Sequence, residues 1–462
     1  MSAKKAKLNL DFGHGGISMN FAKAYDIQPR NGMECDWDAG TFSFNTEEFE
    51  DFPGISQCRI DDARIKTIAG IINRTISDWQ METGYDFDPV MEVSVSASFF
   101  DVLSFPYSLE FSELKNITEE DIKKIEGCKK TEKMSQIPIP DEKIKTLISP
   151  YFTFLTEKDI VSRAPDPRNR KTKSLGFNAY FITKHPVLTR LLEVMKEEGD
   201  KINVFLSCEK EFDALANKKE ADGKTALIHI TDYMSEFSLW DNSELKYLNK
   251  KETGLRELRE AIWRLCLCYH KIPSLTEQDF ELTQNPEEMR RFHNMVMNAE
   301  ISDDSKELLS ADDCSDLLEY ISCILENETE ESIKYSRLDL PGKNRSKTGL
   351  TISNYVLCYF AREAVRNLLL GIKRTICNDD FCKPESVIFE CPLPLKGIEK
   401  LANEVFEIPV RRAIVKWDGE IRGDLSSSGV GALQNLIASN VAEKKRTETF
   451  KTLFGRIFSK AS

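Results

Sequence analysis

In this 462-residue chain, the stretch best suited to phosphate chemistry is Asp11-Phe12-Gly13-His14-Gly15-Gly16. Glycines at a strand end let backbone N–H groups approach a phosphate, and an aspartate there can hold a hydrated Mg²⁺. Alone, the same string is also an ordinary Gly-rich hairpin turn. A second stretch, Leu227 to Trp240, carries His229, Asp232 and Glu236 but no glycine. Tyr233 and Met234 are bulky where a phosphate-cradling backbone must be bare. His229 and Asp232 read as isolated polar residues with structural roles. No Cys-x-x-Cys occurs among the twelve cysteines, and the five histidines lack metal-ligand spacing, so no metal site is expected.

The elements that would position these residues can be read from periodicity. Leu8, Leu10 and Phe12 alternate into the glycines, and Ile17, Met19 and Phe21 alternate out, which is hairpin patterning. Ile65, Ile68, Ile72 and Ile76 mark a helix over 60–80. Val90 to Phe100 reads as a strand, and Thr118 caps a helix with three carboxylates in its first turn. Strands follow at Tyr151–Leu155 and Gly176–Thr183, and Pro186 opens a helix. The pattern then restarts, with strands at Lys224–Ile230, Glu236–Trp240 and Leu245–Leu248 and a helix from Leu255 to His270. Residues 275–345 read as polar and helical. Thr351–Cys377 reads as one long helix, Ser386–Glu390 as a buried strand, and Lys396–Phe406 and Gly429–Ser439 as helices. Two strand-turn-strand-strand-helix units predict a duplicated α/β architecture.

Charge is unevenly distributed. The net charge is −13, which argues against general nucleic-acid binding. Residues 443–462 carry six basic and two acidic side chains, so the rest of the chain stands at −17. Residues 300–331 hold twelve acids and one lysine, Lys306. The first residues lack an apolar core, so no signal peptide is expected, and no uncharged apolar stretch is long enough to span a bilayer. The cysteines read as reduced, mostly buried thiols of a cytosolic protein.

The order of these pieces resembles the actin-like ATPase superfamily and, within it, the FtsA family of bacterial cell-division proteins, membrane tethers of FtsZ filaments. The carrying segments are LNLDFGHGGISM, RIDDARIKTIAGIINRTISDW, ITEEDIKKI, SLGFNAYFITKHPVLTRLLEVMKEEG, ALIHITDYMSEFSLWDNSELKYL, SVIFECPLPLKGIEKLANEVFEIPV and DLSSSGVGALQNLI, with a terminal amphipathic helix. The resemblance implies an α/β actin-like fold of two RNase H-like lobes. Subdomain 1A would span 1–100 and 185–222, with an FtsA-type, SHS2-like 1C insert over 101–184. Subdomain 2A would span 223–255 and 346–439, and 2B would span 256–345. A tether at 440–449 and a membrane-targeting helix at 450–462 would follow. It implies ATP with Mg²⁺ as ligand, yet the family's motifs are worn. His14 replaces a hydroxyl residue, the second loop has lost its glycines, and the adenosine loop reads Glu390-Cys391-Pro392 with only Gly397 downstream. The residual contacts implied are Asp11, Gly13, His14, Gly15, Gly16, Asp232, Glu236 and Gly397, and binding is expected to be weak or absent, without catalysis.

Phe450, Leu453, Phe454, Ile457 and Phe458 fall within an arc of about 140° on a helix, with Lys451, Arg456 and Lys460 outside it. Apolar bulk on one face with basic residues around it describes an interfacial helix for an anionic lipid surface. The alternative is a helix docked on the protein's own core. The tether, if extended, would keep the body within about 30 Å of the bilayer. The acidic stretch, with Asp312, Asp313 and Asp316, is either a solvated helical face or a groove with Leu308, Leu309, Leu317, Leu318, Ile321 and Leu325 for a peptide such as the FtsZ C-terminal tail.

The expectation is a peripheral protein on the cytoplasmic side of the bacterial inner membrane at the division site. It would tether the FtsZ ring, associate with itself in filaments and meet other division proteins. The alternatives are a membrane-associated actin-like platform of a pilus or secretion system, and a working actin-fold ATPase. The last needs the second glycine loop that is missing.

Overall fold

The structure is a computed structural model. It describes residues 5–13, 16–24, 37–43, 62–84, 86–87, 90–130, 142–149, 151–156, 158, 160–196, 201–231, 233–278, 285–301, 309, 314, 317, 337–340, 350–376, 383–391, 397–413, 416–417 and 420–421. Three sheets of five or six strands organise these residues, beside two two-stranded ones.

The first sheet is built from β1 (Lys5–Gly13), β2 (Gly16–Ala24), β3 (Trp37–Ser43), β4 (Asp86–Phe87) and β5 (Val90–Val95), with the later β11 (Lys201–Leu206). Its order is β11-β5-β1-β2-β3, with β4 beside the start of β1. β1 is antiparallel to β2 and parallel to β5, and β5 is parallel to β11. Leu8, Leu10 and Phe12 of β1 are buried, as alternation requires of a strand with a core face. Asn9 and Asp11, on the other face, are buried as well, so β1 is covered on both sides. Helix α1 (Asp62–Thr83) lies against this lobe through Ile65, Ile68 and Ile72.

A second sheet interrupts the first. It comprises β6 (Phe100–Asn116), β7 (Lys143–Ile148), β8 (Phe152–Leu155), β9 (Val161–Ala164) and β10 (Lys171–Lys184), in the order β6-β10-β8-β9 with β7 also on β10. It has its own core, which includes Ile117, Ile125, Phe152, Leu175, Phe177 and Phe181. Helix α2 (Glu119–Lys130) closes that core. Thr118 caps it reciprocally: its N–H donates to Asp121 Oδ2 at 3.0 Å, and the Asp121 N–H donates back to Thr118 Oγ1.

The chain then returns to the first lobe through α3 (Pro186–Met195) and β11, and leaves it through α4 (Ser207–Leu215) and α5 (Lys218–Ala221). The third sheet joins β12 (Lys224–Ile230), β13 (Ser235–Asp241), β14 (Glu244–Lys251), β17 (Ser386–Glu390) and β18 (Val410–Arg412) in the order β14-β13-β12-β17-β18. β12 is antiparallel to β13 and parallel to β17. The path is that of the first sheet: two hairpin steps outward on one side, two parallel crossovers on the other. Residues 225–230 and 235–240 are all buried, as central strands covered on both faces must be. Helices α6 (Arg256–Lys271), α7 (Pro286–Asn298), α8 (Asn354–Ile376) and α9 (Ile398–Phe406) belong to this lobe.

Three elements differ from the sequence reading. The strand from Val90 stops at Val95: the Ser96 N–H makes a last ladder bond to Phe12 O at 3.0 Å, and a 3₁₀ turn over Ala97–Phe99 follows. The long helix expected from Thr351 begins at Asn354; Thr351–Ser353 is β16, paired with β15 (Arg337–Asp339). Within 275–345 the described residues hold α7 and that strand, together with Leu309, Cys314 and Leu317 in the main core. Leu309 and Leu317 are therefore core residues and offer no surface to a peptide. Leu308, Asp312, Asp313, Asp316, Leu318, Ile321 and Leu325, the helix at 429–439, the tether and the terminal helix from Phe450 to Lys460 lie outside the described residues.

Candidate functional site at the lobe junction

In open parallel sheets ligands bind beyond the carboxyl ends of the strands. Here β1, β5 and β11 end at Gly13, Val95 and Leu206, and β12 and β17 end at Ile230 and Glu390. The two sets of strand ends meet at one junction, where side chains of the two lobes contact each other directly.

Asp11, near the end of β1, is 1% exposed, and its Oδ1 accepts a hydrogen bond from Ser207 Oγ at 3.2 Å. Ser207 opens α4, and Glu211 lies one turn later on the same buried face, with Leu215 beyond it. That spacing carries the Glu211 carboxylate inward to the second lobe. Its Oε2 lies 2.8 Å from Nε2 of His229 on β12, and the same imidazole nitrogen is 3.3 Å from Glu390 Oε2 at the end of β17. Directly across the β12–β13 ladder from His229 is Glu236. Its Oε2 accepts a hydrogen bond from the Ala97 N–H of the first lobe at 2.7 Å. Lys250 of β14 adds a cation, donating to Ala97 O at 3.0 Å and to Phe100 O, 3.3 Å from Asp101.

Burial opposes charge on His229, but Glu211 and then Glu390 outweigh it and push its pKa up to about 10. Burial, followed by the like charge of Glu211, pushes Glu236 up to about 8, against the pull of His229, the Ala97 N–H and Lys250. At neutral pH the centre therefore holds an imidazolium paired to Glu211 and a largely protonated Glu236. The rest of the junction is packed. Phe212 of α4 stacks on Trp240 with ring centroids 4.2 Å apart, and Tyr180 meets Tyr247 edge-on at 5.7 Å.

A magnesium–triphosphate fits these residues poorly. It needs several backbone N–H groups turned toward one cavity. In the second hairpin the Thr231 N–H donates to Met234 O at 2.8 Å, and the Met234 N–H donates to Thr231 Oγ1 at 3.1 Å, so both are spent within the turn. Met234 itself is 2% exposed. The carboxylates of Asp11, Glu211 and Glu390 would face the phosphates as like charges. Among the described residues no cluster of three or more metal-ligating side chains could hold a metal ion.

Of the residues expected at a nucleotide, the structure brings together Asp11 and Glu236. Glu236 bridges to the Ala97 N–H of the first lobe. Gly13 and Gly16 pair across the first hairpin, while His14, Gly15 and Asp232 lie outside the described residues. Gly397 precedes α9 with a left-handed φ of 78°, a conformation that suits glycine; its O accepts the Leu401 N–H. Sequence reasoning missed Ser207, Glu211 and Lys250, placed Glu390 only in the adenosine loop, and read His229 as isolated. One signal was present: Ser207, Glu211 and Leu215 recur at i, i+4 and i+8, which places a carboxylate on the inward face of α4.

No family model matches the chain, and no curated protein matches it. Among solved structures it is similar to the PilM–PilN type IV pilus biogenesis complex, at 11% identity over 95% of this chain and 99% of that one, with a TM-score of 0.45. It is also similar to MreB5 of Spiroplasma citri bound to ADP, at 8% identity over 95% and 98%, with a TM-score of 0.43. For the ethanolamine utilisation protein EutJ from Carboxydothermus hydrogenoformans the figures are 10%, 93%, 89% and 0.32. At scores this low the assignment rests on the repeated strand path of the two lobes. The fold is actin-like. Among the described residues of this actin-like chain, no helix is long and apolar enough to cross a membrane.

Proposed function

We propose that this protein is an actin-fold scaffold without ATPase activity, which tethers FtsZ filaments to the cytoplasmic face of the bacterial membrane. The observation that carries the first half is the cross-lobe bond from the Ala97 N–H to Glu236, beside the Glu211–His229 pair. Side chains fill the position where a working ATPase would hold phosphate. A fold kept with its crevice filled serves by its surfaces.

Support for the second half comes from the sequence. The ordered resemblance to FtsA and the basic amphipathic segment from Phe450 to Lys460 give an anchor for anionic lipid and a partner class. Co-pelleting the full chain with FtsZ filaments, and titrating it with the FtsZ tail peptide, tests this reading. Saturable binding to both supports it. Lipid binding without any FtsZ binding would overturn the tether and shift the assignment to a membrane-associated platform of a pilus or secretion system.

A further inference from the structure

The lobe junction carries more carboxylates than its cations match. Glu211 reaches it from α4 of the first lobe, and Glu236 and Glu390 from β13 and β17 of the second. Glu211 and Glu390 flank the His229 imidazole, and Glu236 lies opposite it in the β12–β13 ladder. Glu211, Glu236 and His229 are all buried. Lys250 stands opposite Glu236 on the other side, in β14, but its ammonium is directed to Ala97 O, Phe100 O and Asp101. Asp11 of β1 adds another carboxylate, bonded to Ser207. Burial keeps the Cys208 thiol of α4 protonated, and it keeps His185, which faces Asp101 and Lys250, neutral. Three ionised glutamates against one imidazolium would leave buried negative charge without a partner, a state that proteins relieve by holding a proton.

The effect of each contact depends on the lobes it joins. Glu211 and His229 attract across the junction. Glu211 and Glu236 also act on each other across it, and repel when both are ionised. A proton on Glu236 removes that repulsion, and the carboxyl group still has an acceptor oxygen for the Ala97 N–H. The main chain passes between the lobes through Ala216 and Asn217, both extended, between α4 and α5. Each helix is completed on its own side: the Ala216 N–H donates to Phe212 O at 2.8 Å, and Asn217 caps α5 by accepting the Glu220 N–H at 3.1 Å. Short segments at element ends are where hinge motions are absorbed. Arg411 of β18 anchors this one, donating to Leu215 O and to Glu220 at 2.6 Å.

We propose that the junction is a proton-operated latch, closed while Glu236 carries a proton and released about the Ala216–Asn217 hinge when the proton leaves. The proposal rests on the reading of a crevice filled by side chains, and is independent of the FtsZ tether. Burial and the charge of Glu211 place Glu236 at about 8, so release falls close to neutral pH. In the open state its carboxylate is solvated and returns to the ordinary 4.5, so the closed-to-open ratio falls about tenfold per pH unit between these values. His229, parted from Glu211 by the same opening, steepens the fall above pH 6.5.

Hydrogen exchange of backbone amides in the full chain, from pH 6 to 8 and corrected for the intrinsic exchange rate, tests the latch. The Ala97 N–H should be protected roughly 100-fold less than those of Leu10 and Ile228 in the central strands, because it exchanges by opening and not by unfolding. Its protection should fall at least tenfold per pH unit. Glu236→Gln keeps the acceptor and cannot ionise, and should remove about a factor of ten per unit from that slope. Protection equal to that of Leu10 and Ile228 at every pH would overturn the proposal, as would protection independent of pH or a slope that Glu236→Gln leaves unchanged. Adding ATP with Mg²⁺ separates the latch from the reading beneath it. ATP that raises the protection of Ala97 would overturn both, whereas a flat profile that ATP does not alter would overturn the latch alone.

Discussion

The Glu236 carboxylate of the second lobe accepts the backbone N–H of Ala97 of the first at 2.7 Å. The two residues are 139 positions apart in sequence, and the bond closes the junction at the strand ends of both lobes. Ala97 is available because β5 stops two residues earlier, so its N–H escapes the sheet ladder. Removing the acceptor leaves a buried N–H unsatisfied. Glu236→Ala should cost about 1–3 kcal/mol, read as a lowered denaturant midpoint with an unchanged slope. An unchanged midpoint would show that the bond contributes nothing.

The buried pair in the centre behaves differently. His229→Leu strands the Glu211 carboxylate without its imidazolium, and breaking such a pair costs about 3–5 kcal/mol. Replacing both partners with apolar residues, Glu211→Leu with His229→Leu, should recover much of that loss. A double-mutant cycle checks the coupling. Additive losses would argue against a direct pair.

Stability should fall as the solution becomes alkaline. Both His229, at about 10, and Glu236, at about 8, titrate above their ordinary values of 6.5 and 4.5. A raised value in the folded state means tighter proton binding there. The stabilisation is complete below the ordinary value and is lost as pH climbs through the raised one. The loss attached to Glu236 runs between pH 4.5 and about 8, and that of His229 between 6.5 and about 10. Denaturant midpoints across pH 6–10 should decline, and Glu236→Gln should flatten the lower part of the decline. A flat or rising profile in the unmodified protein would contradict these assignments.

Membrane attachment should depend on the terminal apolar stripe. Changing Phe454 and Phe458 to Glu should abolish co-sedimentation with anionic liposomes. High salt should weaken the unmodified protein, since each Lys or Arg near the surface contributes about 1 kcal/mol. Binding that survives the double change would assign the segment to the protein's own core.

Most of the framework was legible in the sequence, and the reason is local. Leu8, Leu10 and Phe12 alternate, and the run Thr225 to Ile230 is too apolar for a surface strand, so periodicity alone finds these strands and suggests the duplication. The site was only half legible. Asp11 is recognisable from its place before the glycines, yet its partner Ser207 comes from α4, 196 residues away. His229 looked isolated because Glu211 and Glu390 reach it from other elements. Pairing across a lobe junction leaves no periodic mark along the chain. The start of α8 was misplaced for a similar reason: Ile352 is as apolar as a helix position, and only its pairing with Leu338 makes it a strand.

The central claim is that side chains occupy the place of the nucleotide. Equilibrium binding of labelled ATP with Mg²⁺ to the full-length protein tests it most directly. With Glu211, Glu236 and Glu390 at the junction and the second hairpin's N–H groups spent, no saturation is expected below about 1 mM, an affinity weaker than about 4 kcal/mol. A dissociation constant in the micromolar range or tighter would contradict it.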